Sequence, residues 1–392
     1  MSGIDIQFNH RSTEVVTLES AQNHMLCKTK PPGSLGALED WAIKLMLVQQ
    51  THTPCVNKTR IVVFAADNGL SSLSQYPRIV TREMLRCVAS GGAAISCLTR
   101  AHGIDLRIAD LGVDLPVDAR YAAVDHVRLM DRGANDPSDG REPAMDTAAF
   151  SYALGHGREA LQQAARDNID ILGVGELGIG NSAVAAVLLS AASGLDAEKV
   201  TGAGTGVTGD RFIAKVAAVR AVVDVWRNKR VIPHVNMDPL SLIDFDWSSV
   251  IQSIGDLEVV AIASLIHEAA TPSSMTRVLI VIDGFITQAA LLYALLLFPQ
   301  DAARSVRTTI IAHASAEHGA AVMLETLRRA AIFRGVPETD ANIWVRPVGN
   351  WGMRLGEATG AALAIPLLKS AALVAAEMAT FEGAGVSIEK TQ

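Results

Sequence analysis

The chain has 392 residues, of which 49% are hydrophobic and 5% aromatic, and its formal charge at pH 7 is -7. A chain of this length and apolar content can bury a large core, which excludes a disordered or fibrous protein. The negative charge excludes a surface that attracts nucleic acid or an anionic membrane, so any phosphate must be bound locally by backbone amides.

The N-terminal residues 1–22 carry charged side chains and no continuous apolar stretch, which argues against a signal peptide. The cysteines, Cys27, Cys55, Cys87 and Cys97, form no Cys-x-x-Cys pair. We interpret them as reduced thiols of the core. Together these features predict a cytoplasmic protein.

Helical and strand patterns alternate along the chain. An amphipathic helix is predicted over residues 34–50, and an alanine-rich helix over 359–381. Between them, short β-branched runs are each followed by a turn and a helical pattern, which is typical of a parallel sheet wrapped by helices. The runs are residues 60–66, 104–109, 169–174, 278–282 and 309–312.

The predicted fold is α/β, a Rossmann-like three-layer parallel sheet with flanking helices, plus a small helical domain from the N- and C-terminal segments. Residues 1–55 would begin the small domain, residues 56–350 would form the large domain, and residues 351–392 would return to the small one. The apolar window 278–298 is about long enough to cross a bilayer. Because Asp283 and Gly284 interrupt it, we predict a buried strand and helix instead.

Acids, glycines and a histidine follow the predicted strands. In open parallel sheets, ligands bind beyond the carboxyl ends of the strands. Any one of these residues is explained by turn formation, but all of them together favour a shared site. They are Asp67-Asn68-Gly69, Asp110-Leu111-Gly112, Gly175-Glu176, Asp283-Gly284 and His313.

A glycine-rich segment, residues 173–182, lies between a predicted strand and a predicted helix. Free amides at the start of a helix carry partial positive charge and suit a phosphate. The segment matches neither a Walker loop nor a dinucleotide fingerprint. A plain turn capped by Asn181 or Ser182 explains this segment, taken alone, equally well.

A second glycine cluster, residues 202–206, also precedes a helix, and Lys215 follows it. A lysine here could neutralise a phosphate, although an isolated surface lysine is commoner. Further along, His313 and Ser315 could form a polar site, or Ser315 could simply cap the next helix. The spacing of these residues does not match a metal-binding set, so we predict no metal site and no cofactor.

Glu357 stands between Gly356 and Ala358 at the start of the last predicted helix. A carboxylate in a narrow apolar pocket loses hydration, and its raised pKa makes it a usable general base. The alternative is an ordinary helix N-terminal glutamate stabilised by the helix dipole.

Taken in order, these motifs resemble the nicotinate-nucleotide:dimethylbenzimidazole phosphoribosyltransferase family, which makes the lower-ligand nucleotide of cobamides such as vitamin B12. The resemblance spans nearly the whole chain. The matching segments are residues 30–36, 64–67 with 80–81, 91–95, 175–181, 204–206 with Lys215, 283–286, 313–317 and 354–357.

The resemblance implies transfer of the 5-phosphoribosyl group from nicotinate mononucleotide to an aromatic base, with inversion at the anomeric carbon. It implies a homodimer, with Glu357 as catalytic base and Glu176 as a second acid, while the negative charge leads us to expect no nucleic-acid or membrane partner. We assign the predicted phosphate and nucleotide residues as Gly178, Gly180, Asn181, Ser182, Gly204, Thr205, Gly206, Lys215, Ser315 and Gly356. The predicted base-binding residues are Asp67, Glu83 and Leu177, and the other predicted site residues are Asp283 and His313.

Several positions depart from the family pattern. They are Asn68 for His, Glu83 for Gln, Ala203 for Arg, Asp256 for Gly and Ala320 for His, together with a longer segment between Leu324 and Trp351. Because Glu83 would face the base, the accepted base could be dimethylbenzimidazole, another benzimidazole, a purine or a phenol. A catalytically weak paralogue, or one subunit of a hetero-oligomer, is the main alternative. A dinucleotide oxidoreductase would rest on the glycine loop alone.

Overall fold

The computed structural model describes residues 15–114, 124–126, 133–234, 238–242, 244–271 and 276–387. Within these residues, parallel strands form one sheet. The strands are β1 Thr59–Ala66, β2 Asp105–Gly112, β3 Val124–His126, β4 Ile171–Leu177, β5 Leu279–Ile282, β6 Thr309–His313 and β7 Pro347–Gly349.

The strands lie in the order β3-β2-β1-β4-β5-β6-β7, and every neighbouring pair is parallel. In the register of the centre, Val63 of β1 pairs with Ile108 of β2 on one side and with Gly175 of β4 on the other. The chain therefore builds the sheet outwards in both directions from β1. This makes the carboxyl ends of β1 and β4 the topological switch point, where ligands bind in such sheets.

Helices connect the strands and flank the sheet. They are α1 Leu18–Leu26, α2 Ala37–Gln49, α3 Ile79–Ala89, α4 Ala94–His102, α5 Thr147–Arg166, α6 Asn181–Ser193, α7 Ala197–Val200, α8 Gly209–Asn228, α9 Trp247–Ile254, α10 Leu257–Ala270, α11 Phe285–Leu297, α12 Ala302–Thr308, α13 Ala320–Phe333, α14 Glu338–Trp344, α15 Thr359–Glu377 and α16 Phe381–Ala384. Short 3-10 turns occur at Ser71–Leu73, Pro239–Ser241 and Pro299–Asp301. The predicted fold class is confirmed.

The strands are buried because helices cover them. Every residue from Ile171 to Leu177 of β4 is buried, and so is every residue of β5. Helices α10 and α11 pack against β4, and α15 packs against β1, β4, β5 and β6. The apolar window predicted as a strand and helix is β5 and α11, whose residues are largely buried, as expected.

Helix α1 and the residue Lys28 that follows it pack against the end of α15. His24 Nε2 lies 2.8 Å from the Ala375 carbonyl oxygen, and Lys28 Nζ donates to the Met378 carbonyl at 2.8 Å. The predicted association of the terminal helices is therefore present, although α15 also packs on the sheet. The proposed domain limits at residues 55 and 350 remain predictions.

The cysteine prediction is wrong in one respect. All four are free thiols, but Cys27, Cys55 and Cys97 are exposed and lie outside the core, whereas Cys87 is half-buried and packs against it. The physical reason is their position in each element, since Cys27 lies at the end of α1 and Cys55 in the loop before β1. Helix α4 buries Ile95, Ser96 and Thr99, which leaves Cys97 outside.

Helix α15 is long and apolar enough to cross a membrane by length and composition. Of its most apolar window, 56% is buried within the protein, as in the core helix of a globular domain. The segment that is longer than the family pattern, between Leu324 and Trp351, contains the end of α13, α14 and the edge strand β7.

Candidate active site

Glu357 lies in the turn that leads into α15, and only 6% of its surface is exposed. It adopts a left-handed backbone conformation with φ of 63°, and Ala358 follows with φ of 65°. Consecutive left-handed residues other than glycine are strained, and such strain persists only where the surrounding structure holds it. The Glu357 N–H donates to the backbone carbonyl of Glu176 at 3.2 Å, which ties this turn to β4.

Glu176 approaches the same turn with its side chain. It lies near the end of β4 and is 4% exposed, and one carboxylate oxygen accepts a hydrogen bond from Asn181 Nδ2 at the start of α6. The other oxygen lies against Gly356, where any side chain would overlap it. Glycine is therefore required at position 356 for the two glutamates to share one buried site.

Burial raises the pKa of both Glu357 and Glu176. Loss of hydration raises the pKa of Glu357. Burial raises the pKa of Glu176 well above its ordinary value, and the nearby carboxyls of Asp283 and Glu357 raise it further. A site with these two shifts favours a neutral Glu176 beside an ionised Glu357, which is a usable arrangement for proton removal.

Asp283 and His313 stand behind this pair, at the carboxyl ends of β5 and β6. Burial raises the pKa of Asp283 to about 7, and the carboxyl oxygen Oδ1 accepts a hydrogen bond from the Ala361 N–H at 3.1 Å. His313 Nε2 lies 3.7 Å from that oxygen. Burial lowers the pKa of His313, so its ring is neutral at pH 7, and Trp351 stacks on it with ring centroids 6.0 Å apart.

Lys215 joins the two glycine clusters. It is 3% exposed, and its Nζ donates to the Gly202 carbonyl at 2.9 Å and to Ser182 Oγ at 3.3 Å. Gly204, with φ of 55°, packs so closely on Ser182 and Lys215 that a side chain there would overlap the serine hydroxyl. Burial lowers the pKa of this lysine, whereas a phosphate beside it would favour the charged form through a charge-assisted hydrogen bond.

Lys215 and the glycine-cluster residues around it form a cradle, and contacts from the Glu357 loop reach this cradle. The Arg354 guanidinium donates to the Gly204 carbonyl and lies 3.9 Å from the carboxylate of Glu317, which accepts a hydrogen bond from the Gly204 N–H at 3.2 Å. A cavity of about 600 Å³ opens beside Lys215, between residues 71–78 and α8. Arg354 therefore links the Glu357 loop to the segment that surrounds Lys215.

The remaining residues predicted to bind phosphate or nucleotide have differing surroundings. Gly178 and Gly180 both pack too tightly for a side chain, and Thr205 Oγ1 lies 2.9 Å from Ser74 Oγ. Gly206 has φ of 108°, which favours glycine. Ser315 accepts a hydrogen bond from the Glu317 N–H at 3.2 Å, and its alternative role as a helix cap is wrong because α13 begins only at Ala320.

The predicted base-binding residues fall into two groups. Leu177, at the end of β4, is 7% exposed, and Asp67 is 2% exposed. Asp67 accepts a hydrogen bond from the Asp114 N–H at 2.8 Å and forms an ion pair with Arg78 at 3.2 Å. Glu83, in contrast, is exposed, because α3 turns Thr81, Leu85 and Val88 inwards.

Two of the departures from the family pattern are in contact. Asn68 Nδ2 donates to Asp256 Oδ2 at 3.1 Å, and both residues are buried. Asp256 Oδ1 also accepts the Val259 N–H at 2.8 Å as the N-cap of α10. The two substitutions therefore form a single cross-link between the end of β1 and the start of α10.

Some residues near the site lie within the matching motifs, but the sequence alone assigned them no individual role. Thr81 accepts a hydrogen bond from the Ile179 N–H at 3.0 Å, which fixes the first glycine loop to α3. Glu317 and Arg354 both contact Gly204. Glu258 is fully buried and belongs to the same acidic region, but its side chain gave no local signal.

Comparison with known proteins agrees with this geometry. A family model described as a phosphoribosyltransferase matches residues 12–386. The chain therefore belongs to the phosphoribosyltransferase family. The resemblance stated from the motifs is confirmed, and a dinucleotide oxidoreductase is left without support.

Individual phosphoribosyltransferases match over most of their length. The nicotinate-nucleotide--dimethylbenzimidazole phosphoribosyltransferase of Variovorax paradoxus is 36% identical over 380 residues, which cover 96% of this chain and 95% of that protein. The protein of the same name from Cupriavidus taiwanensis is 35% identical, with 92% of each chain covered.

Solved structures of the phosphoribosyltransferase family also match. The crystal structure of CobT from Thermus thermophilus is 32% identical, with a TM-score of 0.77 over 94% of this chain and 98% of that one. A crystal structure of the nicotinate-nucleotide-dimethylbenzimidazole phosphoribosyltransferase from the same organism has a TM-score of 0.76 at 30% identity, over 95% of this chain and 98% of that one.

Proposed function

We propose that the protein transfers the 5-phosphoribosyl group of nicotinate mononucleotide to 5,6-dimethylbenzimidazole or a related base, releasing nicotinate, in cobalamin lower-ligand synthesis. The proposal rests on one observation: Glu357, Glu176 and the cradle of Lys215 are connected by direct contacts. Buried Glu357 lies beside Glu176, and its loop reaches the glycine-walled cradle of Lys215 through Arg354. We infer the two substrates from the names of the related enzymes.

The cradle fixes the substrate. Lys215 and the backbone N–H groups of the two glycine clusters bind the 5′-phosphate, which places the anomeric carbon near Glu357. Positioning of this kind supplies a large part of the acceleration in a two-substrate reaction. The phosphate oxygens also replace the contacts that Lys215 now makes with Gly202 and Ser182.

Glu357 carries out the proton transfer. A ring nitrogen of the incoming base attacks the anomeric carbon from the face opposite the nicotinate, and the carbon–nitrogen bond to nicotinate breaks with its electron pair remaining on the pyridine nitrogen. Because the attack inverts the anomeric carbon, the product is an α-linked ribotide, and Glu357 accepts the proton that the incoming base loses. Neutral Glu176, hydrogen-bonded to Asn181, keeps a second negative charge away from the reacting centre.

The identity of the base remains a prediction. Leu177 and Asp67 lie at the carboxyl ends of the two central strands, where the base would bind. The exposed carboxylate of Glu83 would discriminate among bases only if it turned towards them on binding. Benzimidazoles, purines and phenols are therefore all to be tested.

The test is direct. The purified protein is incubated with nicotinate mononucleotide and each base, and ribotide products are detected by mass spectrometry, with the anomer assigned by NMR. We expect an α-ribotide with at least one base. Absence of product with every base would contradict the proposal and favour the catalytically weak paralogue.

A matched variant tests the catalytic assignment. Glu357→Gln keeps the shape of the side chain but removes its basicity, and we expect kcat to fall about 10²- to 10⁴-fold, the range for loss of a general base. Nucleotide binding, measured by calorimetry, should change little. An undiminished kcat would show that Glu357 is not the base.

We also expect a cytoplasmic homodimer. Apolar side chains lie exposed on the terminal helices, including Leu26 of α1 and Leu367 and Leu373 of α15. Such side chains are often covered in an oligomer interface. Light scattering after size-exclusion chromatography gives the mass, and a monomer at micromolar concentration would contradict the expectation.

A further inference from the structure

The N-terminus of α15 has no cap of its own. Ala358 occupies the capping position in a left-handed conformation, and no side chain of this turn accepts the first helical N–H groups. The turn is buried, since Glu357 and Thr359 are 6% and 1% exposed and Ala358 is fully buried. Buried N–H groups at a helix start require an acceptor from elsewhere.

Asp283, directly after β5 and 78 positions before Ala361, supplies this acceptor. Its Oδ1 accepts the Ala361 N–H at 3.1 Å, and the N–H groups of Gly360 and Ala358 face the same carboxylate and lower its pKa against the effect of burial. Asp283 is fully buried, and its other oxygen has no hydrogen-bond partner in the described part of the chain. The carboxylate of Asp283 therefore caps the start of α15 although it belongs to a distant segment of the chain.

These contacts enclose Glu357 between two anchors. Its own N–H donates to the Glu176 carbonyl at 3.2 Å, and Asp283 binds the Ala361 N–H in the first turn of the helix that follows. Both residues of the turn are left-handed, with φ of 63° and 65°. Without an anchor on each side, the turn would relax and carry the Glu357 side chain with it.

The surroundings leave Asp283 little freedom. A side chain at Gly360 would overlap the His313 ring and lie 2.7 Å from Asp283 Oδ1, and one at Gly284 would lie 3.0 Å from His313 Nε2. Glycines at both positions therefore let the carboxylate and the imidazole pack directly against the start of α15.

We propose that Asp283 is the positioning residue of the site, holding the strained turn of Glu357 by capping α15 from the neighbouring strand. It touches no reacting atom and acts through Glu357. The inference rests on the proposed function of Glu357 as catalytic base. Its structural part, the capping of α15, can be measured without any catalysis.

The experiment compares Asp283→Ala, which removes the acceptor, with Asp283→Asn, which keeps one carbonyl oxygen. Asp146→Asn is the matched control, because Asp146 caps α5 through the Ala149 N–H at 2.7 Å and is exposed. Hydrogen exchange of the peptide amides over residues 355–362 reports the cap. Steady-state kinetics with nicotinate mononucleotide report positioning, and calorimetric binding stoichiometry corrects for any unfolded fraction.

We expect faster exchange over residues 355–362 in Asp283→Ala, and a kcat lowered about 100-fold with KM for nicotinate mononucleotide within about threefold of the parent, since misplacement of a catalytic group by about 1 Å has such an effect. Asp283→Asn should partly restore both the slow exchange over residues 355–362 and kcat. Asp146→Asn should change neither.

Unchanged exchange in Asp283→Ala would overturn the cap, and faster exchange with an unchanged kcat would overturn positioning. If Asp283→Ala does not fold, Asp283→Asn decides on the same two readouts. A fully active Glu357→Gln variant would instead refute the proposed base, while the exchange result would still test the cap.

Discussion

At the scale of single residues, the site depends on the distribution of protons among buried acids. Burial raises the pKa values of Glu357 and Glu176, and the pKa of Asp256 is raised to about 6 and that of Asp283 to about 7 by the same cause. Carboxyls so close together cannot all be ionised. The reactive state is therefore one of several protonation states.

This predicts the pH dependence of the reaction. A general base must be ionised, so kcat/KM should rise with pH through the pKa of Glu357, which burial places above the ordinary value for glutamate. The measurement is a pH profile of kcat/KM with one accepted base. A rate that stays constant from about pH 4.5 upwards, near the ordinary glutamate value, would contradict the raised pKa, and Glu357→Gln, as control, should lack this acid limb.

Lys215 gives a second prediction at this scale. Lys215→Met keeps the length of the side chain but removes its charge, so affinity for nicotinate mononucleotide should fall about 10- to 100-fold, the range for a charge-assisted hydrogen bond. Calorimetry measures the change. Lys199→Met, an exposed lysine on α7, is the control. Equal affinities in the two variants would exclude Lys215 from phosphate binding.

At the scale of elements, the site is assembled by contacts between segments that are far apart in the chain. Asn68 and Asp256 are separated by 188 positions and tie β1 to α10. Arg354 and Gly204 are separated by 150 positions and tie the Glu357 loop to the second glycine cluster. Neither pair could be recognised from local spacing.

The Asn68–Asp256 contact can be tested by a double-mutant cycle. Asn68→Ala, Asp256→Ala and the double variant are compared with the parent by denaturant unfolding. Because the hydrogen bond is buried and one partner is a carboxyl, we expect a coupling free energy of about 1 to 3 kcal/mol. The cycle also cancels the separate loss of the α10 cap. Additive effects would show that the two departures are energetically independent.

At the scale of the whole molecule, Lys44 links the terminal helices to the sheet. It lies on α2, is buried, and donates a hydrogen bond to the Thr309 carbonyl at the start of β6. Its Nζ also lies 5.1 Å from the centroid of the Trp344 ring. Burial lowers the pKa of Lys44 to about 7, and the charge of Arg307 adds to this effect.

Lys44 therefore makes stability depend on pH. Between about pH 7 and the ordinary lysine value of 10.5, the unfolded chain binds a proton that the folded chain does not. The free energy of unfolding should rise with pH across this window, by at most about 1.4 kcal/mol per pH unit from this group. In Lys44→Met this contribution should disappear, as measured by denaturant unfolding at about pH 7.5 and about pH 9, both within the window.

Lys369→Met, an exposed lysine on α15, serves as the control and should keep the slope of the parent. If Lys44→Met kept that slope as well, Lys44 would be charged in the folded protein. The comparison uses differences between variants at each pH, so other titrating groups cancel.

Much of the molecule is determined by local sequence. The β-branched runs fixed the central strands to within a few residues because buried parallel strands require such side chains on both faces. The glycine clusters predicted two tight loops, since positive φ favours glycine at Gly180, Gly204 and Gly206 and the first two also pack too closely for a side chain. The candidate base and the family were also evident from such motifs.

The tertiary structure decided what depends on distance. It showed that Glu357 is left-handed and held from β5, that Asn68 and Asp256 touch, and that Glu83 is exposed although a motif suggested otherwise. It also placed Cys27, Cys55 and Cys97 at the surface rather than in the core. A sequence determines a backbone preference over a few residues, whereas burial, charge coupling and capping between elements arise only when distant segments meet.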